Sequence, residues 1–151
     1  MLSRYISGAL ILLLSLIIPL QNGSTVRAQL SRDESELAAY IIMPEELLHR
    51  IRMGDTSFVL VDVRESDEYR ASHITGALNL PWEDGIFEER RGDLPADKTV
   101  ILVSSDGALA LKALRLLLMD EYENIESSFR EALSVEGGMD NWPYREYLVE
   151  E

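Results

Sequence analysis

Two stretches in the middle of the chain are apolar without alternation. One is Phe58-Val59-Leu60-Val61, running on through Asp62 to Val63; the other is Thr99-Val100-Ile101-Leu102-Val103. Successive side chains of a strand point to opposite faces, so a strand with one wet face alternates apolar and polar residues. A strand that is apolar throughout must be covered on both sides, as in a parallel sheet lying between helices. Each stretch ends in polar residues and is followed by a segment of helical character, which is the order of a parallel α/β unit. The expected fold class is therefore α/β, with a central, mainly parallel sheet flanked by helices.

The remaining elements follow from local signals. Tyr40-Ile41-Ile42 is a short apolar strand. Met43-Pro44-Glu45-Glu46 opens a helix, because proline suits the first turn and acids suit the positive end of the helix dipole. Leu47, Leu48 and Ile51 form its apolar face, and Gly54-Asp55 ends it. Ser66 is expected to cap a short helix carrying Asp67, Glu68 and Tyr69. His73-Ile74-Thr75-Gly76-Ala77 is a turn, and residues 77–80 form a short strand before Pro81. Residues 82–94, with the charged run Glu88-Glu89-Arg90-Arg91, are expected to form a short helix and loop on the surface. Leucines at 109, 111, 114, 116, 117 and 118 lie in an expected helix over residues 107–119, apolar on nearly all sides and hence largely buried. Residues 125–133 have a mild helical period, and residues 132–135 form the expected last strand. Gly137-Gly138 makes a turn, and a final helix is expected from Asp140-Asn141-Trp142-Pro143 to about Val149.

The N-terminus reads differently. Arg4 lies in a short basic start, residues 6–20 are almost unbroken apolar residues, and Gln21-Asn22-Gly23-Ser24-Thr25 is polar. A basic start, an apolar core of about 7–15 residues and small residues before the cut describe a secretory signal peptide. The apolar run is short for a membrane span, which takes roughly 20 residues. Residues 1–28 are expected to be a signal peptide cut after Ala28, with an uncleaved N-terminal anchor as the rival reading. Residues 29–39 are expected to be a linker and residues 40–151 the folded domain. The expected location is extracytoplasmic, periplasmic or secreted, with membrane attachment only through the N-terminal segment.

Charge then limits the partners. The chain has 14 basic and 27 acidic residues and a net charge of −13; loss of Arg4 and Arg27 with residues 1–28 brings this to −15. Such a domain is repelled by phosphate backbones, so nucleic acid is not an expected partner; a cationic protein is compatible, and solubility alone explains the acidity just as well. Cysteine is absent, so no disulfide supports the fold, and about 120 residues must hold it with their core alone. Asp33, Glu34 and Glu36 lack the spacing of a calcium loop, and neither a metal nor a cofactor is expected.

The stretch most suited to chemistry is the loop after the second apolar strand: Ser104, Ser105, Asp106, Gly107, Ala108, Leu109 and Ala110. Open α/β sheets bind ligands at the carboxyl ends of their strands. Asp62 and Arg64 end the neighbouring apolar strand, where a structural ion pair is the first expectation and a rim of the site mouth the second. His73 is expected to hold its turn by hydrogen bonding.

Three blocks of the chain resemble the rhodanese-like family. The first is Val61-Asp62-Val63-Arg64-Glu65 with Glu68-Tyr69, His73-Ile74, Gly76-Ala77 and Asn79-Leu80-Pro81. The second is the apolar strand and loop ending in Ser104 and, three residues on, Gly107. The third is Val135-Glu136-Gly137-Gly138 with Trp142. The resemblance runs from about Tyr40 to Tyr147 and implies an α/β domain with a central parallel sheet. In that family the loop carries a cysteine that holds sulfur as a persulfide and passes it to a thiophilic acceptor. Inward-pointing backbone N–H groups and a helix N-terminus favour its thiolate, and an arginine favours an anionic donor. Matched on Gly107, the cysteine position falls on Ser104, the arginine on Leu109 and the following hydroxyl on Ala110. Serine cannot form a persulfide, and a hydroxyl nucleophile needs an adjacent base. Neither His49 nor His73 is placed beside Ser104 by the sequence. The resemblance thus implies a catalytically inactive domain that serves as a binding or protein-interaction module. Two alternatives stand beside it. One is a sulfurtransferase-related protein whose loop amides hold a small sulfur oxyanion such as thiosulfate; the other is an enzyme that draws a cysteine from a partner chain.

Overall fold

The computed structural model describes residues 38–118, 129 and 131–151. The N-terminal segment assigned above to export, most of the linker, and residues 125–128 and 130 of the expected helical period lie outside the described residues; residues 131–133 of that period are strand instead. The chain divides into units of residues 1–36 and 37–151, and all that is described belongs to the second.

A 3-10 turn at Ala38–Tyr40 leads into β1 (Ile41–Ile42), α1 (Pro44–Arg52), β2 (Phe58–Asp62), α2 (Ser66–Ala71), β3 (His73–Ile74) and β4 (Leu78–Asn79). Then come α3 (Ile86–Arg90), a 3-10 turn at Arg91–Asp93, β5 (Thr99–Val103), α4 (Ala108–Leu118), β6 (Glu131–Val135) and β7 (Leu148–Val149). Five strands form one sheet in the order β1-β6-β5-β2-β4, and every pairing in it is parallel. The register sets Val61 beside Leu102 and Leu102 beside Ser134. A second, two-stranded sheet pairs β3 with β7 antiparallel.

The unbroken apolar runs are explained by two cores, one on each face of the sheet. Ile101 and Val103 of β5 pack with Leu47 and Leu48 of α1, Tyr69 of α2, and Trp142. Val100 and Leu102 point the other way, among Ala110, Ala113, Leu114 and Leu117 of α4 and Phe87 of α3. All five residues of β5 are buried. At about 25 cal/mol per Å² of apolar surface, the side chains of this one strand contribute several kcal/mol on each face.

Three local expectations need correction. Ser66 is the first residue of α2, not its cap; Glu65 holds the cap position, and the Ser66 hydroxyl donates to Asn79 Oδ1 (3.0 Å). Helix α4 is less enclosed than its leucines imply: Ala110, Ala113, Leu114 and Leu117 are buried, while Leu109, Leu111, Leu116 and Leu118 are half-buried. The final helix is absent. Gly138–Asn141 and Arg145–Tyr147 are 3-10 turns, and the chain then extends as β7. Pro143 lies between those turns, and its missing N–H cannot serve a helix interior. β7 gains its hydrogen bonds from β3 instead, which is why His73-Ile74 is a strand rather than part of a turn.

The turn at Gly137-Gly138 needs both glycines, with φ of +62° and +58°. A Cβ on Gly138 would also strike the backbone oxygens of Ser104 and Ser105.

Ser134 is the misfit of the sheet. It is 1% exposed on β6, and its hydroxyl has no hydrogen-bond partner. An unpaired buried hydroxyl costs roughly 1–3 kcal/mol. Ser134→Ala is expected to stabilise the domain by about 1 kcal/mol, read as a higher urea midpoint at unchanged slope.

Candidate functional site

The loop from β5 to α4 is built around one side chain. Ser104 is 1% exposed, and its Oγ accepts hydrogen bonds from the backbone N–H groups of Gly107 (3.1 Å) and Ala110 (3.2 Å). Gly107 makes this closure with φ of +92°, and its own carbonyl accepts from Leu111 N (3.0 Å). Asp106 is exposed, and its Oδ1 accepts from Ala108 N (2.9 Å) at the start of α4. Three N–H groups facing this corner are thus satisfied from within the loop.

The turn after β6 fastens the loop from behind. Met139 N donates to the Ser104 carbonyl and Asp140 N to the Ser105 carbonyl, each at 2.8 Å. The backbones approach so closely that position 138 has room only for hydrogen. On the open side, Ser105 Oγ donates to Glu68 Oε1 of α2 (3.1 Å). Leu109 is half-buried on the first turn of α4 and Ala110 fully buried.

The mouth is electronegative. Burial of its carboxyl, and then the charges of Asp84, Glu83, Glu68 and Asp67, raise the pKa of Glu65 above the usual carboxylate range. Its Oε1 is screened from solvent and has no hydrogen-bond partner. Of the two described basic side chains nearest in sequence, one is engaged elsewhere and one meets a single one of these acids. Arg64 is bound to Asp62, and Arg70 pairs with Asp67. Among the described residues no group of three or more His, Asp or Glu is arranged to hold a metal ion.

Asp62, Arg64 and His73 are brought together, but behind the loop rather than in it. Arg64 Nε contacts both Asp62 oxygens (3.0 and 3.1 Å), Arg64 Nη2 donates to Asp62 Oδ2 (2.6 Å), and the same nitrogen donates to the Ser72 carbonyl (2.8 Å). Both residues are buried. Asn79 Nδ2 spans the carbonyls of Asp62 (3.2 Å) and Arg64 (2.9 Å), joining β2 to β4. His73 places Nδ1 2.9 Å from the Tyr69 carbonyl and stacks on the Tyr69 ring, with centroids 3.7 Å apart. The Tyr69 hydroxyl donates to the Ala77 carbonyl (2.7 Å); burial, then the charges of Glu151 and Asp62, push its pKa up and keep it a donor. These groups clamp β2, α2, β3 and β4 to one another. His49 is exposed on α1. Trp142 is buried, with Nε1 donating to the Tyr144 carbonyl (2.9 Å), and Trp82 is half-buried 5.9 Å from Phe87.

The sequence reading did not single out Asn79, the Glu68–Ser105 bond or Glu65 as members of this region. Asn79 carried a signal, since a polar residue inside a short apolar strand needs partners for its amide. Glu65 and Glu68 stood only in the block that carries the resemblance, and an acid at a helix cap or in its first turn is ordinary.

Comparison with known proteins agrees with this arrangement. The sequence profile of the rhodanese-like domain family matches residues 43–143, and the chain belongs to that family. It is 31% identical over 97 residues to the HTH-type transcriptional regulator Rv0324 of Mycobacterium tuberculosis, covering 64% of this chain and 38% of the regulator. It is 26% identical over 110 residues to the uncharacterized protein YqhL of Bacillus subtilis, covering 70% and 80% of the two chains. With the putative sulfur carrier protein YrkF of Bacillus subtilis it shares 27% identity over 89 residues, 59% of this chain and 43% of that one. The chain thus spans less than half the length of the first and third of these relatives. Among solved structures, a full-length protein from Lactobacillus plantarum superposes with a TM-score of 0.64 at 20% identity, covering 83% and 99% of the two chains. A rhodanese-like domain protein from Staphylococcus aureus superposes at 0.58 with 25% identity, covering 74% and 97%.

Two outcomes test the site. Ser104→Ala leaves Gly107 N and Ala110 N without their acceptor in a closed corner. It is expected to cost about 1–3 kcal/mol in urea unfolding, whereas Ser105→Ala, at an exposed bond, stays within about 0.5 kcal/mol. Glu65→Gln is expected to stabilise the domain at pH 7. The raised native pKa means that the folded state holds the proton more tightly than the unfolded one, so stability falls as pH rises through the native value. The advantage of the variant should vanish at pH 3, where Glu65 is protonated in both states; urea midpoints at the two pH values check this.

Proposed function

We propose that this chain is an exported, catalytically silent rhodanese-like domain that works as a protein-interaction module. The observation that carries the proposal is the closed corner at Ser104. Persulfide chemistry needs a polarizable thiolate that reacts at the mouth of the loop. The chain contains no cysteine, and Ser104, at the position matched to the family's cysteine, is a hydroxyl that is 1% exposed and held by two backbone donors. As a nucleophile it would need a base, and neither histidine serves: His73 is committed to Tyr69 and His49 lies on α1. A cysteine supplied by a partner chain would meet the same sealed corner.

The reading of the loop as a site for a small oxyanion has less support. Gly107 N, Ala108 N and Ala110 N already have oxygen partners, and the nearby side chains are acidic. The same acids favour a cationic segment of a partner protein. Glu65, Asp67, Glu68, Glu83 and Asp84 lie close enough to raise the pKa of the first of them, in a chain of net charge −13. Export rests on the basic start, the apolar residues 6–20 and the small residue Ala28.

The test is a thiosulfate–cyanide sulfur-transfer assay on the protein, with a heat-inactivated sample beside it. The expected outcome is no thiocyanate above that background. Turnover well above it overturns the proposal. Titration with millimolar sulfate, thiosulfate or phosphate is expected to leave the amide resonances of residues 104–108 unmoved, and a saturable shift there would restore the oxyanion reading.

A further inference from the structure

Helix α4 is composed as a helix covered on every side. Residues Ala108–Leu118 include six leucines, three alanines, one lysine and one arginine, and no acid. A helix apolar all round belongs in a core, whereas a surface helix carries polar residues across its outer face. The fold covers α4 on one side only. Ala110, Ala113, Leu114 and Leu117 are buried in the core on that face of the sheet. Leu109 and Leu116 form a half-buried row along one flank, and Leu111 and Leu118 a second row along the other. Between the rows stand Ala108, Lys112 and Arg115, exposed and placed on one face by their spacing. The chain has 27 acids to 14 bases, so an exposed cation readily finds a partner. Arg50, Arg52, Arg64, Arg70 and Arg90 each pair with a carboxylate. Lys112 and Arg115 make no ion pair among the described residues. Asp106, just before the helix, is turned to Ala108 N.

We infer that the outer face of α4 is a docking surface for an acidic amphipathic helix of a partner protein. Such a helix, laid along α4, covers the leucine rows with its own apolar stripe. Its carboxylates then meet Lys112 and Arg115, the two charges that the fold leaves unanswered. A second copy of this chain fits the face less well. A two-fold contact through α4 is self-complementary only where opposite charges face each other, and here it would bring the cations of both copies together. An anionic bilayer would attract these two side chains but repel a chain of net charge −13. The surface uses neither the corner at Ser104 nor the acids around Glu65. It therefore stands whether or not the loop is silent, and its partner has the opposite charge to the one the mouth favours.

The probes are two synthetic helical peptides of about 18 residues, with leucine at every third or fourth position and either glutamate or lysine between. Each is titrated into the full chain while the backbone amide resonances are followed. The glutamate peptide is expected to saturate below about 1 mM, to move the amides of residues 108–118, and to bind more weakly as salt is added. Lys112→Glu combined with Arg115→Glu, two exposed changes outside the core, is expected to weaken it about 10-fold, because two attractive pairs become repulsive. The lysine peptide should leave residues 108–118 unmoved. The surface is overturned if the glutamate peptide does not saturate or moves amides elsewhere, if the charge-reversed variant binds it as the parent does, or if the lysine peptide moves residues 108–118. Concentration-dependent shifts of those amides in the parent alone would assign the face to a second copy. Flotation of the parent with vesicles of phosphatidylglycerol and phosphatidylcholine, lost in the charge-reversed variant, would assign it to a membrane. Either result overturns the acidic helix.

Discussion

The structure depends on β5 having no exposed face. A strand in the middle of a parallel sheet must be covered twice, so the chain has to supply two apolar layers from few helices. It does so with α1, α2 and the Trp142 turn on one side and α3 and α4 on the other. The cost of this arrangement falls at the strand's end. There the backbone must leave a fully buried layer and start α4 within a few residues, and every N–H it passes needs an acceptor. Ser104 and Asp106 provide them for Gly107, Ala108 and Ala110.

The same bonds decide what the corner can do. N–H groups converging on one point favour a negative charge there. A neutral hydroxyl accepts the same bonds without carrying charge. Around it, Asp106, Glu65 and Glu68 set a negative field, which would raise the energy of any anion brought to the loop. Shape and charge therefore point in opposite directions: the backbone has the curvature of an anion-holding loop, and the side chains make the location hostile to anions. A cationic partner would meet the same acids favourably and would not need the corner to open.

The sheet was legible because its signal is an average over many side chains. The runs at residues 58–63 and 99–103 admit no wet face, and α1 and α4 show their helical spacing with a proline or glycine at the boundary. Legibility failed where one long-range bond outweighs local preference. Ser66 has the chemistry of a cap, but Asn79 of β4 takes its hydroxyl. Residues 140–149 have helical composition, yet the unpaired edge of β3 offers a ladder that the chain takes instead. For the site, the serine and the glycines could be read from the sequence together with the resemblance. The sealing of Ser104 could not, since it rests on the approach of the Gly138 turn from more than 30 residues away.

The buried polar cluster of Asp62, Arg64, Tyr69, His73 and Asn79 holds the scaffold together independently of the loop. None of these side chains spends its hydrogen bonds on the corner at Ser104; they join β2, α2, β3 and β4 to one another. Removing one partner of a buried pair such as Asp62–Arg64 leaves an uncompensated charge, at a cost of about 3–5 kcal/mol. The residues that most strongly mark the family in this sequence are thus held by folding stability, while the loop residues are free of that constraint as long as the N–H groups keep acceptors. Serine meets that requirement with a hydroxyl of similar reach. A domain built this way keeps its frame whatever chemistry its loop carries, because the bonds that hold the frame and the bonds that hold the loop are made by different side chains.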